Sequence, residues 1–293
     1  MMPTPPDVPA ALDVPVAPDV PVATDAPDVP FAAHVPAPPI PVDVTVVETD
    51  RGEVWELAPD PMDAASRLLL RGVAAWAAEW APGGRARLVI EAPEPTILGS
   101  GFLDPAGARA LPEVTATPVH EGLAEELLEV WHAVVAAGGA VGFRREAEPA
   151  EIRPALERHL AAVVAGTSTL VTTREPGAGR LLGFGWWELA RNTLFAHIAH
   201  LSRFQVRPDA QGRNLGRVQL AGMHRIARGM AGIELCELAY RSGTGVSRFY
   251  AAGGYVEVGR RPGAVRAGPA DDRDSVLMMR RVDGGDLIYD GRG

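Results

Sequence analysis

The 293-residue sequence contains no lysine: all 28 of its basic residues are arginine. With 32 glycines, 27 prolines and abundant alanine, that absence reads as a GC-rich coding bias rather than as a functional signal. Cysteine is nearly absent too. Cys236 stands alone, which excludes an internal disulfide and favours a reducing, cytoplasmic setting. No apolar run approaches the roughly 18–20 residues that a membrane-crossing helix needs, so no membrane partner is expected. The opening "MMPTPPDVPA" has neither a basic start nor an apolar stretch, and no secretory signal is expected there. A basic excess is also missing. The net charge is −9, with 16 acidic against 6 basic residues in 1–112 and 21 against 22 in the remainder. Neither half offers the positive surface on which a nucleic-acid binder depends.

What is present is an ordinary globular composition, 47% hydrophobic and 22% charged, in a chain long enough for one large or two modest domains. Residues 1–40 are rich in Pro, Ala, Val and Asp, with Asp-Val-Pro recurring at Asp7, Asp13, Asp19 and Asp28. Frequent prolines remove backbone donors and hold extended conformations, so a disordered, solvated tail is expected over a docking peptide. Residues 41–112 change character. "VDVTVVET" and "EVWELA" flank Asp50-Arg51-Gly52, a hairpin signal, and "PMDAASRLLLRGVAAWAAEW" carries Leu69, Val73, Trp76 and Trp80 at roughly helical spacing. With "RARLVIEA" as a further strand, this is a small ββαβ module, followed by a proline-punctuated loop or linker over 93–112.

From 113 to 283 the pattern is continuous, in the order β-α-α-β-β-β-α-β-α-β-β, and 284–293 reads as a C-terminal tail. One stretch in it raises a chemical question. "VRPDAQGRNLGRVQL" joins a strand to a helix through Gln211-Gly212-Arg213-Asn214-Leu215-Gly216. Unpaired N–H groups at a helix N-terminus suit a pyrophosphate, and glycine lets backbone approach a ligand closely. No Gly-Lys-Ser/Thr follows, so the loop is not a P-loop, and taken alone a plain strand–helix turn explains it as well. "GAGRLLG" at Gly177–Gly183 lies between two strands and opens no helix, so it is read as structural. His197 and His200, placed on one strand three residues apart, would face opposite sides and chelate no common metal. For either histidine alone a packed role is the simplest, with proton acceptance as the alternative. Tyr250, in "SRFYAAGGY" on a short helix, is a packing residue or a proton donor to a departing thiolate. Trp186 and Trp187 must face opposite sides of one strand, one in the core and the other free to line a cleft.

The element order and two passages resemble the Gcn5-related N-acetyltransferase superfamily. The first passage is Val206-x-Pro208-x-x-Gln211-Gly212-x-Asn214-x-Gly216, and the second is Phe249-Tyr250-x-x-x-Gly254-Tyr255. Asn214 stands where the family pattern has glycine, and Gly243 and Val246 where relatives often carry Asn and Ala. The resemblance implies an α+β fold with a central mixed β-sheet flanked by helices, here preceded by the small module and the tail. It implies acetyl-CoA as co-substrate, without a metal. The cofactor would lie against Phe204, Gln205 and Val206, with its pyrophosphate on Gln211, Gly212, Arg213, Asn214, Leu215 and Gly216 and with Gly243 nearby. An amine, of a small molecule in the first instance, would attack the thioester directly while Tyr250 protonates the departing thiolate. His200 falls where relatives often place a carboxylate base. A homodimer is left open. The want of a clear carboxylate base keeps a second reading alive, a catalytically silent acyl-CoA-binding or regulatory protein.

Overall fold

The computed structural model describes residues 35–39, 42–49, 52–59, 64–89, 102–103, 109–177 and 179–287. The Asp-Val-Pro repeats and the Asp50-Arg51 turn lie outside the described residues. In the first part, β1 (Val42–Thr49) and β2 (Gly52–Pro59) pair antiparallel across the expected hairpin. Helix α1 (Ala64–Trp80) then crosses to β3 (Ala86–Leu88), which runs parallel to β2. The stretch read as loop contains two further strands, β4 (Phe102–Leu103) and β5 (Arg109–Ala110), giving a sheet ordered β1-β2-β3-β5-β4. Two-residue strands carry no periodicity, which is why the sequence does not announce them.

The second part follows the expected order element by element. It runs β6 (Glu113–Ala116), α2 (Leu123–Ala136), α3 (Pro149–Val164), β7 (Ser168–Arg174), β8 (Leu181–Leu189) and β9 (Ile198–Val206). After these come α4 (Leu215–Arg228), β10 (Leu235–Arg241), α5 (Ser247–Ala252), β11 (Val256–Gly268) and β12 (Asp271–Arg281). The seven strands form one mixed sheet, β11-β12-β10-β9-β8-β7-β6, in which β9 and β10 alone are parallel. This is the α+β architecture that the resemblance implied.

Strand β8 shows that both faces of the sheet are covered. Successive residues of a strand point to opposite faces. Trp186 accordingly packs with Trp131 of α2 and Ile152 and Leu156 of α3, while Trp187 packs with Leu201 of β9 and Val218 and Met223 of α4. Both rings are fully buried, so neither lines a cleft, contrary to the expectation for one of them. The indole N–H of Trp187 donates to the Met223 carbonyl at 3.0 Å.

The first part does not stand apart from the second. Trp55, Leu57, Val73, Ala77 and Leu88 share one hydrophobic cluster with Val218, Met223 and Leu238. Polar contacts fasten α4 to α1 and to β6: Arg225 donates to the carbonyls of Ala78 of α1 (3.0 Å) and Val114 of β6 (2.7 Å), and Arg228 to that of Glu79 of α1 (2.6 Å). At the centre, Arg280 of β12 donates to the Glu79 carboxylate at 2.8 Å, with Arg228 at 3.8 Å. Arg280 also donates to Nδ1 of His224, whose Nε2 is 3.2 Å from the Tyr255 hydroxyl. Burial opposes the Glu79 charge, but His224 and Arg280 beside it hold its pKa down to about 2. Burial and the Arg280 charge push His224 down to about 4. At neutral pH the cluster therefore holds an ionised Glu79 against two guanidinium groups and a neutral imidazole.

Candidate functional site

The site begins where two strands part. β9 and β10 pair from Ile198–Leu235 to Leu201–Leu238 and no further. Beyond that rung β9 is held only by β8, up to Val206–Gly183, and β10 only by β12, up to Arg241–Ser275. A β-bulge accompanies the separation. Arg203 and Phe204 together oppose Gly185, and Arg203 takes a left-handed φ of 50°. A bulge bends its strand and increases the local twist, which turns the end of β9 away from β10. The wedge so formed is a cleft of about 980 Å³, lined by Ser202–Val206 on one side and Leu238–Arg241 on the other.

At one end of the cleft lies the Gly-containing loop. Gln211 donates its side-chain amide to the Val206 carbonyl at 2.9 Å, tying the loop to the strand end. Asn214 occupies the N-cap of α4 with φ 61°, a left-handed conformation that Asn tolerates better than most residues. Its Nδ2 donates to the Arg71 carbonyl of α1 at 2.9 Å, so the side chain is engaged by the N-terminal part of the chain. Leu215 is buried beneath the loop. Gly216 cannot carry a side chain without crowding, because a Cβ there would meet the Phe249 ring at 3.3 Å. Leu215, Gly216 and Arg217, the first turn of α4, line the cleft, which therefore meets the positive end of the helix. Arg71, Arg217 and Arg241 line the same cleft, and among the described residues none has an ion-pair or hydrogen-bond partner for its guanidinium. Of the loop and strand residues expected at a cofactor, Phe204, Gln205, Val206, Gln211, Gly212, Asn214, Leu215, Gly216 and Gly243 all line the cleft. Arg213 does not; it is exposed to solvent.

The two candidate catalytic residues line it as well. Tyr250 of α5 sits among the rings of Phe249 (5.0 Å between centroids), Tyr240 and Tyr255 (6.0 Å each) and Phe204 (6.5 Å). Burial pushes its hydroxyl up to about 12, so it stays protonated at any working pH. His200 lies on the next-to-last rung at which β9 and β10 still pair, opposite Glu237. Its Nδ1 is 3.0 Å from Glu237 Oε1. On the other side, Glu188 of β8 is also in register with His200. Glu237 escaped sequence reasoning because the pairing joins residues 37 apart. His197 is not on the strand. It precedes β9, and its carbonyl accepts from the N–H groups of Glu234 and Leu235, away from the cleft.

Among the described residues no group of three or more His, Cys, Asp or Glu side chains converges as a metal site, and no helix is long and apolar enough to cross a membrane. No family model and no curated protein matches the sequence. Solved structures do. A GCN5-related N-acetyltransferase from Kribbella flavida is 19% identical, with a TM-score of 0.45, over 57% of this chain and 97% of that one. A protein of Salmonella typhimurium described as an acetyltransferase, solved with its cofactor acetyl-CoA, is 18% identical, with a TM-score of 0.45, over 58% and 94%. The spermidine/spermine N-acetyltransferase of Vibrio cholerae is 13% identical, with a TM-score of 0.44, over 58% and 92%. At these identities the likeness is one of fold.

Proposed function

We propose that this chain, built on the fold of the Gcn5-related N-acetyltransferase superfamily, is an acetyl-CoA-dependent N-acetyltransferase that acts on a small-molecule amine. The observation that carries the reading is the wedge between β9 and β10, with a bulged strand along one wall and a helix N-terminus at its end. The parts fit an acyl-CoA. Beyond Leu201 the strand edge of β9 has no ladder partner on the cleft side, which leaves backbone groups free for an amide-containing arm. The N–H groups around Gln211–Gly216 suit a pyrophosphate, and the space that Gly216 leaves open lies beneath Phe249. Arg71, whose carbonyl accepts from Asn214, and Arg217 of the first turn of α4 add positive charge beside the loop. Ala137–Val141 of the α2–α3 connection also line the cleft, on the side where an acceptor would enter in this reading.

When bound, acetyl-CoA supplies an acyl group already activated as a thioester. The chain's own residues then manage protons and water. Glu237 accepts the Nδ1–H of His200, which fixes the tautomer and leaves Nε2 to take a proton from the acceptor's ammonium or amine. The Tyr250 hydroxyl donates to the sulfur as it departs. A phenol at about 12 gives up its proton fully only to a base of similar strength. A thiolate forming in the same dry aromatic surround is raised by the same desolvation, which brings the two together. The rings of Phe204, Phe249 and Tyr240 pack around Tyr250 and give that step an apolar border.

Calorimetry with acetyl-CoA followed by thiol-release assays over a panel of amines tests the reading. Saturable binding with turnover of at least one amine is expected. Tight binding without turnover across the panel would instead favour a catalytically silent acyl-CoA-binding protein.

A further inference from the structure

On the face of the sheet covered by α2 and α3, the cleft holds a charge that the proposed chemistry does not use. Arg203 sits at the bulge of β9, three residues beyond His200. Its side chain reaches under the α2–α3 connection. A Cβ on Gly142 would lie 2.5 Å from Arg203 Nη1, so the glycine makes room for the guanidinium. The Trp131 ring lies 6.0 Å from it. The side chain is half-buried, and its Nε is fully buried without a hydrogen-bond partner. Among the described residues the guanidinium forms no ion pair. Two other half-buried arginines that meet α2 are paired, Arg174 with Glu126 and Arg207 with Glu129. A guanidinium withdrawn from water without an anion is costly, and its planar fork matches a carboxylate.

The neighbouring carboxylates do not fill that role. Glu188 offsets part of the charge through space but forms no ion pair with Arg203, lying 3.4 Å from His159 Nδ1, and Glu237 faces His200 at 3.0 Å. They flank His200 in register on the two adjoining strands, so a negative pair surrounds the candidate base while a positive group stands beyond it. That polarity suits an acceptor with a cationic amine at one end and an anion at the other. The two glutamates would repel a dianionic phosphate more strongly than a monoanionic carboxylate.

We propose that the acceptor is an amino acid-like molecule, a primary amine that also bears a carboxylate, and that Arg203 binds the carboxylate. This rests on the acetyltransferase reading above. The test uses matched pairs on the full chain, each an amino acid and its decarboxylated amine, together with phosphoethanolamine. Wild type is expected to acetylate at least one carboxylated member with kcat/KM ten- to a hundredfold above its partner. Arg203→Gln should raise KM for that substrate by a similar factor, leave kcat/KM for the plain amine and acetyl-CoA affinity unchanged, and keep the thermal midpoint. Arg203→Lys should fall between, having charge without the fork. Equal use of both members of every pair, or a preference for the phosphorylated amine, overturns the proposal while leaving the acetyltransferase reading intact. Loss of acetyl-CoA affinity or of fold in both variants also overturns it, since Arg203 would then be a structural residue. No turnover of any amine removes both.

Discussion

The buried His224 makes a prediction whose size follows from its surroundings. It is 1% exposed, receives a hydrogen bond from Arg280 at Nδ1, and faces Glu79, Arg228, Tyr255 and the ring of Trp187. Protonation would place a second charge against Arg280, and its pKa is down at about 4 against about 6.5 for a free imidazole. A depressed histidine pKa means that, between those values, the unfolded chain binds a proton that the folded chain refuses. Stability is then full above about 6.5 and is lost as pH falls towards about 4. Between pH 7 and pH 5 the linkage relation gives a loss of about 2 kcal/mol from this group. Glu79, held at about 2, contributes in a separate window, with stability lost as pH falls from about 4.5. The comparison is denaturant unfolding, followed by tryptophan fluorescence, of wild type and His224→Gln at the two pH values. Glutamine can accept from Arg280 and donate to Tyr255 but does not titrate. Wild type should lose about 2 kcal/mol more than the variant on acidification. Identical losses would refute the reasoning.

Three further outcomes concern the cleft. Asn214→Gly removes the hydrogen bond to Arg71 but keeps the backbone N–H and the left-handed φ of 61°, so acetyl-CoA affinity measured by calorimetry should stay within about tenfold, roughly 1.4 kcal/mol. Gly216→Leu, whose Cβ meets Phe249 at 3.3 Å, should cost far more, and equal losses from the two would mean that the loop does not bind as argued. Tyr250→Phe preserves the aromatic packing and should lower kcat for a confirmed acceptor by about 10²–10⁴-fold, with little change in acetyl-CoA binding; an unchanged rate of thiol release removes the hydroxyl from the chemistry. Glu237→Gln leaves a hydrogen-bonding partner for His200 without its charge and should lower kcat for a confirmed acceptor with little change in acetyl-CoA binding; an unchanged kcat in both Glu237→Gln and His200→Ala removes the dyad as base.

How much of this was legible in the sequence depends on the range over which each feature is specified. Local features were readable. The helical spacing through Val73, Trp76 and Trp80, the alternation in β8 and the glycine loop before α4 are each set within a dozen residues. What the loop meets was not. Asn214 looked like a missing glycine, and only the fold shows its side chain spent on α1, 143 residues earlier in the chain. Trp186 and Trp187 were correctly set on opposite faces. Their shared burial follows from a sheet covered on both sides, which one strand cannot announce.

The missed partner of His200 is a different case, because its signal was present in part. Two parallel strands that enter a sheet at the same level put residues of equal rank opposite one another. β9 begins Ile198-Ala199-His200 and β10 begins Leu235-Cys236-Glu237, so the histidine and the glutamate are each third in line. The obstacle was the start of β9. Reading it from Thr193, through a stretch that forms a 3-10 turn at Thr193–Phe195, shifts the count by five and puts His197 on the strand as well. Asn192 supplies the physical reason for the later start. Its side chain caps that turn by accepting from Leu194 N–H at 3.0 Å, as an Asn preceding a turn commonly does. With the turn recognised, the first rung becomes Ile198–Leu235 and the pairing of His200 with Glu237 follows by counting. Arg203 differs again: its significance comes from the ion pair it lacks among the described residues, which depends on where strands and helices far apart in the chain set their carboxylates.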